Sequence, residues 1–333
     1  MKINIVIGNP PYQKENQSIY NEFIDKMIGI SPVFIVMITK NNWMKGNILS
    51  HTRNNMIQFG IKRIINFSLP KEIFKTVNRA ISIFMLNNGY TKETHYKEIR
   101  NNSVVTDTLL SLEQDKSIVY EPIQLGIVDK TITRDDFEAY DLCKNARLFS
   151  IASNGYFMYA DHTEDCIEYT NNKILEDDIE VVFLDGAHKP YVLYANRNKL
   201  PKGKEYIDSW KIVCGSKIAL NEIVVSNLNV LKPGQILTNS FAIMAITNSE
   251  SEIYSILKYI KTKFHRMLIR LTISDNKTAY GLGRTIYVPL QNFTSQSDID
   301  WSQSVENIDR QLYKKYNLNQ EEIDYIESTL ESI

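Results

Sequence analysis

Residues 5–12 read Ile5-Val6-Ile7-Gly8-Asn9-Pro10-Pro11-Tyr12, an apolar run that ends on a carboxamide, a diproline and an aromatic ring. The run predicts a strand and the two prolines predict its end. Each proline holds φ near −65° and carries no N–H, so the chain cannot turn back into a helix there and the Pro10 carbonyl stays available as an acceptor. The Asn9 carboxamide supplies a second acceptor. Two oxygens aimed at an exocyclic amine draw its lone pair toward sp3 character, while Tyr12 offers a face on which an unstacked ring can lie. This chemistry points to the N6 amine of adenine. The plainer alternative is a strand followed by a Pro-Pro turn with a surface tyrosine.

Working outward, residues 1–90 alternate short apolar runs with amphipathic segments, a βαβ pattern that predicts a parallel sheet. Strands are expected at Ile3 to Ile7, Val33 to Ile38, Ile61 to Phe67 and Ala80 to Leu86. Residues 91–150 are polar and weakly periodic, as a connector would be. From 151 to 297 the expected strands are short and aromatic: Gly155 to Tyr159, Tyr191 to Tyr194 and Glu222 to Val225. That suits a β-rich α+β domain. Residues 298–333 predict a helical tail. Val305, Ile308, Leu312 and Tyr316 share a face, and Asn319 is placed to cap a helix from Gln320 to Leu330 with Glu321, Glu322 and Asp324 in its first turn.

The segment Val6-Ile7-Gly8-Asn9-Pro10-Pro11-Tyr12-Gln13 resembles the amine-binding motif of the N6-adenine DNA methyltransferases, above all the Eco57I-like restriction-modification methylases. Ser18 to Ile24 resembles the helix that follows in that family, and Phe34 to Ile38 with Asn42-Trp43-Met44 resembles its next strand and tryptophan turn. Arg63 to Phe67, Ile73-Phe74 and Ala80 to Leu86 match later strands in order. At the far end, Phe293-Thr294, Asp300-Trp301 and Gln311 to Tyr316 resemble the family's tail. The resemblance covers most of the chain and is loosest between residues 90 and 200. It implies a partial Rossmann-like methyltransferase sheet (its substrate half), then a target recognition domain, and direct methyl transfer from S-adenosylmethionine to adenine in double-stranded DNA. Asn9, Pro10, Pro11 and Tyr12 would be the catalytic set, with Phe74 packing on the flipped base. An ordinary core Phe is the alternative for Phe74.

The family's cofactor-binding half, which would precede the motif, is not found in the eight residues before Asn9. Two downstream glycine turns, Leu184-Asp185-Gly186-Ala187 and Gly281-Leu282-Gly283, lack the expected spacing or the following helix. No cofactor-binding residue is therefore named. The strand ending at Ile7 would be a bare edge, which proteins seldom leave uncovered. A second polypeptide carrying the cofactor half, a homodimer contact, or a fragmentary chain would each account for it. The alternative function is a cofactor-less DNA-binding or interaction protein that keeps the base pocket.

The 333 residues hold 38 Lys and Arg against 39 Asp and Glu, a net charge of −1, so any nucleic-acid surface must be local. Two basic clusters qualify: Arg197, Lys199, Lys202, Lys204 and Lys211, and Lys258, Lys261, Lys263, His265, Arg266 and Arg270. In the second, the intervening apolar residues predict a helix with its charges outward. Cys143, Cys166 and Cys214 form no paired motif, and the five histidines form no metal-binding pair. Asp178, Glu180 and Asp185 near His188-Lys189 could hold magnesium but read more simply as a surface loop. No run is long enough for a membrane span and no signal-peptide pattern stands at the start, so the expected location is the cytoplasm.

Overall fold

In the computed structural model of the chain, the described residues are 3–14, 17–45, 49–67, 80–100, 103–115, 118, 122–135, 138, 148–149, 151, 168–185, 189–200, 202–215, 217–218, 223–273, 278–279 and 285–333. The chain divides into two units, Met1–Asp129 with Leu271–Asp275, and Lys130–Arg270 with Asn276–Ile333. The architecture is mixed α/β.

The first unit begins with β1 (Ile5–Gly8), a small hairpin of β2 (Gln13–Lys14) and β3 (Gln17–Ser18), and α1 (Tyr20–Gly29). Then come β4 (Phe34–Lys40), α2 (Ser50–Phe59), β5 (Ile61–Phe67), β6 (Ile81–Asn87), β7 (Thr94–Arg100) and β8 (Ser103–Leu110), and α3 (Pro122–Ile132) runs across the division at Asp129. Six strands form one sheet in the order β1-β4-β6-β5-β7-β8. β1 runs parallel to β4 and β5 parallel to β7, but β6 lies antiparallel between β4 and β5. The parallel pairing expected from the sequence is thus interrupted. The burial of β4 alternates strictly along its length, the pattern of a sheet covered by helices on one face rather than two.

The covered face carries Ile35, Met37, Ile64, Phe84, Leu86 and Tyr96, packed with Tyr20 and Ile24 of α1 and Met56 and Phe59 of α2. Side chains alternate across a strand, which puts Phe34, Val36, Ile38, Ile83 and Met85 on the opposite face, where they are half-buried. At the C-terminus of α2 the chain must reverse within one residue. Gly60 does so at φ +114°, and a Cβ there would meet the Asn87 and Tyr90 carbonyl oxygens at 2.6 Å, so only glycine fits.

Among the described residues the second unit holds three sheets. β9 (Ile179–Leu184), β10 (Pro190–Ala195), β11 (Trp210–Gly215), β12 (Lys217–Ile218), β13 (Asn229–Leu231), β14 (Gln235–Leu237) and β15 (Phe241–Thr247) precede α4 (Glu250–Lys261) and α5 (Lys263–Arg270). β16 (Thr278–Ala279), α6 (Val305–Lys315) and α7 (Gln320–Thr329) follow. The sheets are β10-β9-β14, β13-β11-β15 and β12-β16. Val181, Phe183, Val213, Ile236 and Ile243 are among the side chains that close the core between the first two.

The sequence located α6 by its apolar face and α7 by its cap, and both start on local caps. The Ser304 hydroxyl accepts the Asn307 N–H, and Asn319 forms a reciprocal capping box with Glu322. Tyr191 to Tyr194 lies within β10, while Gly155 to Tyr159 and Glu222 lie outside the described residues. Ile223 to Val225 is not a strand. Val224 sits at φ +65°, a left-handed conformation that breaks extended pairing, and the Ile223 carbonyl accepts from Arg266 Nη1 at 3.1 Å. The basic run on α4 and α5 also differs from expectation, because His265 and Arg266 point inward and are fully buried.

Candidate active site

Since β4 is antiparallel to β6 and β6 to β5, the C-terminal ends of β1, β4 and β5 and the start of β6 share one rim of the sheet. In open α/β sheets this is the rim where ligands bind. Asn9-Pro10-Pro11-Tyr12 leaves β1 directly onto it. Asn9 and Pro11 are exposed, and Pro10 and Tyr12 are half-buried. Among the described residues no hydrogen bond engages the Asn9 carboxamide or the Pro10 carbonyl. The Tyr12 carbonyl accepts the Ile19 N–H at 3.3 Å, which folds the following hairpin back over the loop. The Tyr12 ring packs on the edge of the core with Lys40 Nζ 6.0 Å from its centroid, and burial pushes its hydroxyl above the ordinary tyrosine value. The hydroxyl therefore stays protonated at neutral pH.

A short turn at Asn41–Met44 continues the rim from β4. It is held from three directions. Tyr20, fully buried, donates its hydroxyl to Asn42 Oδ1 at 2.6 Å. Asn41 Nδ2 donates to Asn66 Oδ1 at 3.1 Å, and the Asn41 N–H reaches the Ala80 carbonyl at 3.3 Å. Trp43 Nε1 donates to Ser82 Oγ at 2.9 Å while its ring meets Phe84 edge-on at 5.5 Å, and Arg53 Nη1 donates to the Trp43 carbonyl at 3.1 Å. Buried polar groups are stabilising only when paired, so this network fixes the turn. The sequence singled out Asn42-Trp43-Met44 only as a landmark and missed Tyr20, Asn41 and Asn66. Carboxamides at the ends of apolar strands were the available signal.

Phe74 lies outside the described residues. Of the two glycine turns, Gly281 to Gly283 is likewise outside, as are Gly186, Ala187 and His188. The flanks of the latter are informative. β9 ends at Leu184 and the chain enters β10 antiparallel to it, with Asp185 Oδ1 accepting the Lys189 N–H at 2.7 Å. A strand followed by its hairpin partner is not the strand-turn-helix that cradles a dinucleotide-like cofactor.

The acidic trio is committed to hydrogen bonds within the fold. Asp178 Oδ2 accepts the Ile174 and Leu175 N–H groups, and Glu180 accepts from Gln235 Nε2. No group of residues able to hold a metal ion occurs among the described residues. Most of the basic residues are also engaged. Arg197 pairs with Asp208, Lys204 donates to the Asn198 carbonyl, and Lys211, fully buried, donates to the Ile207 and Ser209 carbonyls. Lys258 donates to the Trp301, Ser302 and Gln303 carbonyls and Lys263 pairs with Glu327. Lys199 and Lys202 remain exposed. Among the described residues no helix is long and apolar enough to cross a membrane.

Residues 1–74 match the family described as the Eco57I restriction-modification methylase. An uncharacterized adenine-specific methylase of Mycoplasma pneumoniae is 32% identical over 108 residues, 28% of this chain and 26% of that protein. The type IIL restriction-modification enzyme MmeI, solved in complex with DNA, superposes over 98% of this chain and 56% of its own with a TM-score of 0.55 at 9% identity. That likeness is one of fold. The chain spans about a quarter of the curated relative and about half of MmeI.

Proposed function

We propose that this chain carries the amine-holding half of an N6-adenine DNA methyltransferase of a restriction-modification system. The carrying observation is that Asn9 and the Pro10 carbonyl stand unengaged on the C-terminal rim of the sheet, beside the half-buried Tyr12 ring. In this reading an adenine leaves the duplex and stacks on Tyr12. Its N6 amine donates one hydrogen to Asn9 Oδ1 and the other to the Pro10 carbonyl. Held between these two acceptors, which follow a strand end, the amine would present its lone pair in a fixed direction. Pro11 keeps the loop extended, and Phe74 closes on the opposite face of the base. The set β1, β4, β5 and β6 would be the substrate half of a Rossmann-like sheet. Residues 151–297 would be the recognition domain, reading double-stranded DNA in the cytoplasm.

S-adenosylmethionine is the methyl donor this chemistry requires. The described residues do not fit it, since no strand runs through a glycine turn into a helix, and no residue of this chain is assigned to the donor. That gap favours a second reading, a DNA-binding protein that holds a base without transferring to it.

The test is transfer of labelled methyl to duplex DNA by the full chain isolated from its source cells, followed by nucleoside analysis. Label on N6-methyladenine, reduced at least about a hundredfold by Asn9→Ala, supports methylation; the expected size is that of losing a preorganised hydrogen-bonding group. DNA binding without transfer supports the second reading, and label on cytosine refutes the first.

A further inference from the structure

The helices of the second unit leave an open cleft of about 660 Å³ between α4, α5, α6 and α7. That falls within the roughly 300–1,000 Å³ of small-ligand pockets and far exceeds a packing gap. Its floor is buried and carries little free charge. Asp309 and Tyr313 are each 3% exposed. The Asp309 carboxyl accepts the Lys263 and Phe264 N–H groups and is pushed up to about 7 by burial. The Tyr313 hydroxyl donates to Glu327 Oε1 at 2.9 Å, and Lys263 Nζ offsets the same carboxylate at 2.6 Å. Leu318 and Ile323 add an apolar wall. The mouth is cationic. Lys261 ends α4, Arg310 and Lys314 stand one turn apart on α6, and all three line the cleft. Among the described residues neither the Lys261 nor the Lys314 ammonium has a hydrogen bond or an ion pair. Lys258, Lys263 and Lys315 of the same helices each have two or three acceptors. The two acids at the mouth are already held, Glu306 by its own N–H and Ser304, and Asp324 by Gln320 Nε2 at 2.8 Å. A helix end favours cations through its dipole, which accounts for the sign of Lys261 and Lys314 but not for their sharing one cleft.

We propose that this cleft binds a small phosphorylated molecule, its phosphate held between Lys261, Arg310 and Lys314 and its body lying against Leu318 and Ile323. Three separate cations suit a phosphate ester, which near neutral pH presents three oxygens and a charge of about −1.5 to −2. A carboxylate offers two oxygens and one charge, and is better matched by a single guanidinium. Each phosphate of a nucleic-acid backbone carries one charge, and the strand would have to enter the cleft to reach all three cations. The site lies wholly within the second unit, so the inference does not depend on the methylation reading.

The test treats the full chain with pyridoxal 5′-phosphate, whose aldehyde condenses with a neighbouring lysine amine to an imine and water; borohydride then fixes the product for peptide mapping. Lys261 or Lys314 should carry at least tenfold more label than the exposed Lys199 and Lys202. Pyridoxal without its phosphate should lose that preference, and inorganic pyrophosphate should protect the labelled lysine. By calorimetry, Lys314→Met and, independently, Lys261→Met should weaken pyrophosphate binding at least tenfold, while Lys202→Met leaves it unchanged. Even labelling of the exposed lysines, equal preference with pyridoxal, no measurable binding of pyrophosphate, or protection by a duplex oligonucleotide but not by pyrophosphate overturns the inference.

Discussion

Asp309 offers a sharp test of the packing of the C-terminal helices. Its carboxyl is nearly fully buried and accepts the Lys263 and Phe264 N–H groups at 2.9 Å each, capping α5. Burial pushes its pKa up from 3.8 to about 7, with the two N–H groups and Arg266 pulling the other way. A carboxyl whose folded value is raised holds its proton in the native state after the unfolded chain has lost it. The native state then binds more protons between about 4 and 7, and stability falls as pH rises through that window. Each pH unit between the two values is worth about 1.4 kcal/mol, so this group removes roughly 4 kcal/mol between pH 4 and pH 8. Asp309→Asn keeps a neutral side chain of the same size and abolishes the dependence. Urea denaturation at pH 5 and pH 8 should show the variant slightly destabilised at pH 5, where it loses one N–H bond worth about 1 kcal/mol, and more stable than the parent at pH 8. Other titrating groups are common to both proteins and cancel in the difference. A variant that is destabilised more at pH 8 than at pH 5 refutes the argument, because the native carboxylate would then be ionised and held by its donors and Arg266.

Lys211 is the complementary case: burial lowers its pKa from 10.5 to about 7, so the unfolded chain binds more protons between those values and stability should rise with pH across the window. Lys211→Met should flatten that rise in the same denaturation series. Gly60→Ala should destabilise the first unit by about 3 kcal/mol, at the upper end of steric overpacking, because its Cβ has carbonyl oxygens on two sides; a melting curve within one degree of the parent would contradict this. Trp43→Phe should cost about 1–3 kcal/mol by leaving the buried Ser82 hydroxyl without its indole donor. Hydrogen exchange at the Asn41–Met44 turn should accelerate in that variant, and unchanged protection there would show that the turn is held without it.

Local chemistry made much of this protein legible in advance. The end of β1 at Gly8 follows from Pro10 and Pro11, which cannot donate to a ladder, and the start of α7 follows from Asn319, whose side chain accepts the Glu322 N–H three residues on. Both act within a few residues, so their outcome does not wait on the fold.

Tertiary structure decided what depends on distant partners. β6 enters the sheet antiparallel between β4 and β5, although its own letters suit either direction. His265 and Arg266 look like solvated charges in sequence, yet Arg266 reaches the carbonyls of Ile223 and Glu331, which are 43 and 65 residues away. Val224, next to Ile223, stands at φ +65° and not in a strand. Hydrophobic pattern and capping are properties of a segment, and the sequence by itself determined them. Strand direction and the burial of a paired charge are properties of which segments meet, and only the folded chain could decide them.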